Sequence, residues 1–315
     1  MTRIRFGGYQ GDHSVHTRGG RVFCNLLRDR LGDAVDIQFE ENITAHGRKA
    51  TDLLSMTESG ELDGCYFSSS YLAKRVPELG LFDQHFVVPD RRRAYALLDC
   101  GLGARLAEEV VKKTGYAVLG YWDNGLRHIS SGRGPIRTPA ACGGLKIRTL
   151  ASEAHQRVFK ALGFEPMAID VRDLPDAVAS FKVDAQENPL TNIYNFELHK
   201  THRHVTLTRH LLGVALVLFN KERVATWLEP VRAGVEAALK EATAAQRRFA
   251  EEDDRICAEK LRADGVELIE LSDAERAAFV SATRTEVEKT RSAFSAELLA
   301  LFDQELAKAA DGSGL

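Results

Sequence analysis

Short runs in which apolar and polar residues alternate are interleaved along this chain with longer runs in which apolar residues recur every three or four positions. The first kind predicts half-buried strands, the second amphipathic helices. Ile4-Arg5-Phe6 opens a sheet, and the loop Gly7 to His16 leads into a helix over Thr17 to Leu31 whose apolar face is Val22, Phe23, Leu26 and Leu27. Val35 to Phe39 alternates as the next strand, a helix over Arg48 to Ser59 ends at Gly60, and Cys65-Tyr66-Phe67 is a third strand with Ser68-Ser69-Ser70 at its carboxyl end. Helices over Arg91 to Leu98 and Leu102 to Thr114 precede a strand from Tyr116 to Trp122. Strand, loop and helix repeated in this way is α/β architecture, whose open sheets bind ligands at the strands' carboxyl ends.

After Trp122 the pattern restarts, and Asp123-Asn124-Gly125 reads as a turn and a first crossing between domains. Alternation resumes from Tyr121 through Ile129 and again in Gly144-Leu145-Lys146-Ile147-Arg148. Thr138-Pro139 starts a short helix between them, with proline at the first helical position. A helix over Ser152 to Leu162 is closed by Gly163, Glu165 to Asp170 is a short strand, and Asp173-Leu174-Pro175 begins another helix. Val183 to Pro189 turns from strand into helix, and Val205 to Thr208 and Val214 to Phe219 are the last strands. From Pro230 to Ala263 only Gly234 interrupts a helical pattern; one long helix, or a helix-turn-helix broken near Gln246, fits it. Ser272-Asp273-Ala274-Glu275 spells a capping box that starts the C-terminal helices, and the tail from Asp311 to Leu315 is expected to fray.

Composition narrows the function classes. A chain of 315 residues can hold about two domains, and a net charge of -3 provides no basic field for nucleic acid or an anionic membrane. No run approaches the roughly 18 apolar residues of a membrane span. The start, Met1 to Phe6, carries no signal-peptide apolar region, so a cytoplasmic chain or a mature product with a new methionine is expected. Cys24, Cys65, Cys100, Cys142 and Cys257 lack metal spacing and read as buried free thiols.

The candidate chemistry centres on Arg127 and Arg148, each set in a strand-like run. Arginine keeps its proton and offers a planar fork of donors suited to a carboxylate. Each can clamp an anionic ligand or close a structural ion pair, and both readings stand at this point. Asn188, where a strand ends before Pro189, is either an N-cap or a ligand-facing amide. Asp12, His13 and His16 read as a solvated loop, and the group His199, His202, His204 and His210, which lacks zinc spacing, as an exposed helix end and loop. No metal site and no cofactor is expected. Gly-x-Ser-x-Gly, Walker A, Gly-x-Gly-x-x-Gly and His-Glu-x-x-His spellings are all missing.

Four stretches, in this order and at these spacings, form a specific signature: Gly120-Tyr121-Trp122-Asp123-Asn124-Gly125-Leu126-Arg127-His128, Arg133 to Pro139, Gly144 to Arg148, and Val183-Asp184-Ala185-Gln186-Glu187-Asn188-Pro189-Leu190. They resemble the substrate-binding proteins of TRAP transporters of the dicarboxylate-binding, DctP type, over most of the chain. The resemblance implies an α/β, two-lobed fold like that of periplasmic binding proteins, with a ligand cleft between the lobes and a long helix spanning both. Residues 1–123 with 211–250 would form one lobe, and 124–210 with 251–315 the other. It further implies a monomeric periplasmic receptor, its signal peptide removed, that captures an organic acid and delivers it to a membrane permease without catalysing a reaction. By the same resemblance Arg148 is the carboxylate-binding arginine, Arg127 a second ligand-contacting arginine, and Asn188 the ligand-contacting amide. Leu126 replaces the family's usual phenylalanine, Ala185 its usual glycine, and Ser68 stands where the sialic-acid branch carries glutamate.

Around the carboxylate, Tyr9, His13, Tyr66, Ser68, Trp122 and Val171 are the expected pocket contributors, and their mix fits an aromatic or branched monoacid as well as a C4-dicarboxylate. Two rivals remain: an α/β enzyme on a carboxylic acid with His13 or His128 as base, and a sensor for such an acid. Turnover separates the first, and a neighbouring kinase gene the second.

Overall fold

The computed structural model describes residues 1–311. Nine strands and eleven α-helices are defined over them. In chain order they are β1 (Thr2–Gly7), α1 (Val15–Leu31), β2 (Val35–Glu40), α2 (Asp52–Glu58), β3 (Gly64–Ser68), α3 (Arg91–Asp99), α4 (Gly101–Lys113) and β4 (Tyr116–Ser131). There follow β5 (Lys146–Thr149), α5 (Glu153–Ala161), β6 (Glu165–Ala168), α6 (Leu174–Ala179), β7 (Ala185–Asn188), α7 (Leu190–Asn195) and β8 (His204–Asn220). The chain ends with α8 (Lys221–Thr226), α9 (Glu229–Ala263), β9 (Glu267–Ile269), α10 (Asp273–Arg291) and α11 (Ala296–Asp311). The α/β class read from the strand and helix periods is the class observed. Of the tail expected to fray from Asp311, that residue ends α11, and 312 onward lies outside the described residues.

Two compact units divide the chain, the first comprising 1–68, 107–123 and 214–253 and the second 69–106, 124–213 and 254–311 of the described residues. In the first, β1 pairs in parallel with β2 and β3, and β3 pairs antiparallel with β8 in the register Tyr66↔Val217. Ser14 starts α1 by accepting the amide of His16 at 3.1 Å, and the helix buries Phe23, Cys24 and Leu27 on this sheet. The first turns of α9 add Val231, Val235, Ala238, Leu239 and Ala242 to the same core. Phe6 sits at its centre, with ring centroids of Phe23, Phe219 and Trp122 at 5.4, 5.8 and 6.4 Å. Each such buried side chain contributes about 1.5–3 kcal/mol.

In the second unit β7 pairs antiparallel with β4 and parallel with β5, which also pairs in parallel with β6. One core gathers Leu174, Val178, Ile193, Val205 and Leu261, and another Ile129, Ile147, Phe159, Phe164 and Phe279. The segment 69–106, grouped with the first lobe in the sequence reading, falls in this unit. Asp83 engages Ser70 at 2.5 Å and His155 at 3.3 Å, Arg91 pairs with Asp254 at 3.1 Å, and α3 packs on α11.

Three expectations are corrected. Asp123-Asn124-Gly125 is no turn but the middle of β4, a strand of 16 residues. Gln246 straps it there: its Oε1 accepts the amide of Asp123 at 2.9 Å and its Nε2 donates to the Asp123 carbonyl at 2.7 Å. Gly125 is needed because its φ is +84° and an added Cβ would lie 2.3 Å from Pro189. Residues 204–220 likewise form one strand rather than two, with Arg209 at a φ of 43° marking the position read as a loop. Finally, His199, His202 and His210 are buried rather than exposed, because their rings find partners: Tyr194 stacks on His199 at 5.0 Å and Ser130 meets His202 at 3.0 Å. The helix α9 runs unbroken through Gln246, and all five cysteines are free thiols, four of them buried.

Candidate functional site

Arg148 occupies the third position of β5, where pairing with Met167 and Gln186 fixes the backbone on both sides. Its side chain is buried, and Nε donates to the Ile169 carbonyl at 2.9 Å. Nη2 is also buried and meets no protein acceptor. Burial lowers the pKa of this guanidinium, while Tyr71 and Glu187 push it back up, Arg127 adds repulsion and Asp170 adds attraction. An arginine so placed still keeps its charge. The result is a desolvated cation with an unfilled N–H, the arrangement that gains most from a carboxylate.

Arg127, on β4, is placed differently. Its Nε donates to Glu187 Oε2, and its Nη2 reaches Glu187 Oε1 at 2.8 Å, the Glu187 carbonyl at 2.7 Å and Asn188 Oδ1 at 3.3 Å. Burial alone would raise the pKa of Glu187, but the charge of Arg127 and the contacts with Arg127 and His210 outweigh it and hold the group well below the usual carboxylate range. Arg127 therefore already grips a carboxylate, one supplied by the protein.

Asn188 is not an N-cap; Pro189 holds that position of α7 without a side-chain bond. Its Nδ2 donates to Gln186 Oε1 at 2.5 Å, and its Oδ1 accepts from Arg127 and from Asn192, each at 3.3 Å. Gln186 in turn donates to Ser130 at 2.6 Å. Strand pairing of β4 with β7, in the register His128↔Asn188 and Ser130↔Gln186, lines up this chain of polar groups. Every second residue of the Gln-Glu-Asn run faces one way in a strand, so Gln186 and Asn188 share a side of β7. Val171, half-buried, opens a short turn after β6 whose cap is Asp170.

In the first unit Tyr9, Tyr66 and Trp122 come together, with the rings of Tyr9 and Tyr66 5.5 Å apart. His13 is exposed. Tyr66 and Trp122 are fully buried, 5.6 Å apart, with Trp122 Nε1 donating to Thr243 at 3.1 Å. Ser68 ends β3 and is buried. His16, read as part of a solvated loop, lies inside α1 and stacks on Tyr66 at 5.0 Å; burial lowers its pKa to about 4 despite the opposing charge of Asp123. His128, the base of the enzyme reading, is buried too: burial and the positive neighbours push its pKa far down, and its Nδ1 accepts the Arg209 amide at 3.3 Å.

Two features escaped the sequence reading. Tyr71, in the short turn after β3, lies within the electrostatic reach of Arg148, Asp170, Arg127 and Glu187, and burial raises its pKa. His85, His155 and His210 cluster around Phe159, with His85 stacked on His210 at 5.2 Å and 4.8 Å from His155. They come from three distant segments, so no local spacing announces them. No group of His, Cys, Asp or Glu among the described residues is arranged to hold a metal ion.

The model of the family described as bacterial extracellular solute-binding protein, family 7, matches residues 6–293. The chain belongs to this family. Among its relatives, the 2,3-diketo-L-gulonate-binding periplasmic protein YiaO of Escherichia coli is 27% identical over 284 residues, 90% of this chain and 85% of the relative. A TRAP periplasmic solute-binding protein from Bordetella bronchispeptica, with density assigned to pantoate, superposes with a TM-score of 0.88 at 25% identity and covers 96% of this chain and 98% of its own. Another from Sulfurospirillum deleyianum, with bound succinate, gives 0.88 at 25% identity and covers 96% of this chain and 99% of its own. No helix of the described family 7 chain is long and apolar enough to cross a membrane.

Proposed function

We propose that this protein is the periplasmic solute receptor of a TRAP transporter, which takes up a small organic acid through Arg148 and delivers it to the membrane permease. The observation that carries the acid-binding role is the buried Arg148 guanidinium whose Nη2 has no protein partner. A ligand carboxylate supplies the missing acceptor and the missing negative charge together. Each such charge-assisted hydrogen bond contributes about 1.5–3 kcal/mol. Membership of family 7 supports the receptor role, and similarity to proteins named for a keto acid, pantoate and succinate supports an acid as the cargo. The receptor acts as a monomer and leaves its ligand chemically unchanged.

Mass spectrometry of small molecules released from the purified protein, followed by calorimetry with the acid found, tests this reading. Arg148→Ala is expected to weaken binding by about a hundredfold or more, the penalty for truncating one partner of a buried charge pair. Unchanged affinity in that variant rejects the role given to Arg148. Conversion of the acid during incubation rejects the receptor role itself.

A further inference from the structure

We propose that the loop 83–87 is an acid-sensitive strap on the second unit, latched at neutral pH by the rings of His85, His155 and His210 and released when this cluster takes up protons. The three histidines come from the loop, from α5 and from β8. His85 lies 4.8 Å from His155 and 5.2 Å from His210, and Phe159 packs edge-on against His85 and His210 at 5.4 and 5.6 Å. All three side chains are almost completely buried. His85 Nδ1 meets the Asp83 carbonyl at 3.1 Å, and a carbonyl only accepts, so this nitrogen carries the proton and Nε2 is bare. Nε2 of His85 and both ring nitrogens of His155 are buried without a hydrogen-bond partner. A proton added to His85 therefore finds no acceptor, in an interior where an unmatched charge is costly.

Two carboxylates face the cluster, and both are engaged elsewhere. Asp83 Oδ1 lies 3.3 Å from His155 Nε2 and accepts from Ser70 at 2.5 Å. Glu187 Oε2 lies 3.4 Å from His210 Nε2 and is paired with Arg127. From β4, Arg127 opposes a charge on His210, and His210 and His128 oppose one another. From α10, Arg276 lies over the Phe86 ring at 5.5 Å, Arg291 donates to Gln84 Oε1 at 3.0 Å, and Arg284 and Glu288 line the same small cavity as His85. Burial first, then His155 and His210, hold the pKa of His85 well below its ordinary 6.5. Once the loop detaches, His85 regains the ordinary value. Attachment is thus complete above pH 6.5 and weakens as the pH falls below it. The backbone is set for release: Phe86 has a φ of 65°, a conformation that favours glycine and persists only while its surroundings hold it, here through the Phe86 amide on the His210 carbonyl at 2.7 Å. Because Asp83 also holds Ser70, opening loosens the turn after β3 that carries Tyr71.

The test is amide hydrogen exchange of the whole protein at pH 7 and pH 5, each corrected for the intrinsic exchange rate. The reporters are peptides covering 83–87, set against the core of the same unit from Leu174 to Ile193. One histidine that is neutral when latched and has a pKa of 6.5 when free raises the opening equilibrium about twentyfold between these pH values. The expected result is that protection of 83–87 falls by about that factor or more and that the loop exchanges at pH 5 while the core remains protected. His85→Phe, which keeps a ring in the cluster and removes the titrating group, is expected to shrink the fall at least tenfold. A loop already unprotected at pH 7, equal protection at both pH values, or a loop that exchanges only together with the core overturns the inference, as does an unchanged fall in the phenylalanine variant. The wild-type comparison of loop and core decides the matter even where that variant does not fold.

Discussion

Replacing Arg148 with methionine is expected to change stability and binding in opposite directions. In the free protein this guanidinium is buried with one hydrogen bond, Nε to the Ile169 carbonyl at 2.9 Å, and one buried nitrogen without a protein acceptor. Leaving a donor unsatisfied costs about 1–3 kcal/mol, and desolvating the charge adds to it, as the downward shift of its pKa records. Against this, the bond to Ile169 contributes about 1.5–3 kcal/mol, and Glu187 and Asp170 offer some attraction that Arg127 opposes. Methionine fills most of the same volume with no polar group to satisfy. The balance favours the variant by about 1 kcal/mol, a rise of about 1–2 °C in the melting midpoint of the ligand-free protein. With ligand the order reverses. At a thousandfold excess over the wild-type Kd, binding stabilises the wild type by about 4 kcal/mol, whereas a variant weakened a hundredfold gains only about 1.4 kcal/mol. Differential scanning calorimetry of both proteins, with and without the acid, reads all four states. A ligand-free variant that melts several degrees below the wild type refutes the reasoning, because Arg148 would then be a satisfied structural residue.

The pair Arg127 and Glu187 gives the contrasting case: Glu187→Ala, by stranding a buried guanidinium, is expected to cost about 3–5 kcal/mol in urea unfolding, while the double change Arg127→Met with Glu187→Met costs far less, and equal losses would deny the coupling. Stability is also expected to fall with acidification. Burial lowers the pKa of His16 and of His202 to about 4 from an ordinary 6.5, so below pH 6.5 the unfolded chain binds the more protons. The stability from each is therefore complete above pH 6.5 and lost as the pH falls to 4, at up to ~1.4 kcal/mol per pH unit, with His85, His128 and His210 acting in the same direction. A melting midpoint that stays flat from pH 7 to pH 4.5 counts against this.

Much of the fold was legible because the period of the apolar pattern states the element type directly. The strands at Val35 and Cys65 and the helices starting at Arg91 and Ser272 lie within a few residues of their expected bounds. The failures share a cause. Asp123-Asn124-Gly125 has turn chemistry, yet Gln246, more than a hundred residues away, supplies hydrogen bonds that hold Asp123 within the strand. Tertiary partners override local preference where one side chain can satisfy the backbone that a turn would otherwise satisfy. The histidines follow the same rule. His199 and His202 look like an exposed polar loop by composition, and only the placement of Tyr194 and Ser130 makes them interior groups.

The two arginines show where the limit of sequence reasoning falls at the site itself. Both sit in alternating strand runs, both are buried, and nothing local to Gly125-Leu126-Arg127 or Lys146-Ile147-Arg148 tells a ligand clamp from an internal ion pair. What separates them is the register of β7. Antiparallel pairing with β4 sets Glu187 opposite Ile129 and Asn188 opposite His128, within reach of Arg127, so its fork closes on the protein's own carboxylate. Parallel pairing with β5 sets Gln186, an uncharged residue, opposite Arg148. One strand thus pairs the first arginine with a carboxylate and leaves Nη2 of the second without a protein acceptor. A one-residue slip in that register would turn the Glu187 side chain to the opposite face of the sheet and reverse the assignment. The difference in partners between two chemically identical side chains is therefore a property of strand pairing, carried by Gln186-Glu187-Asn188 rather than by either arginine.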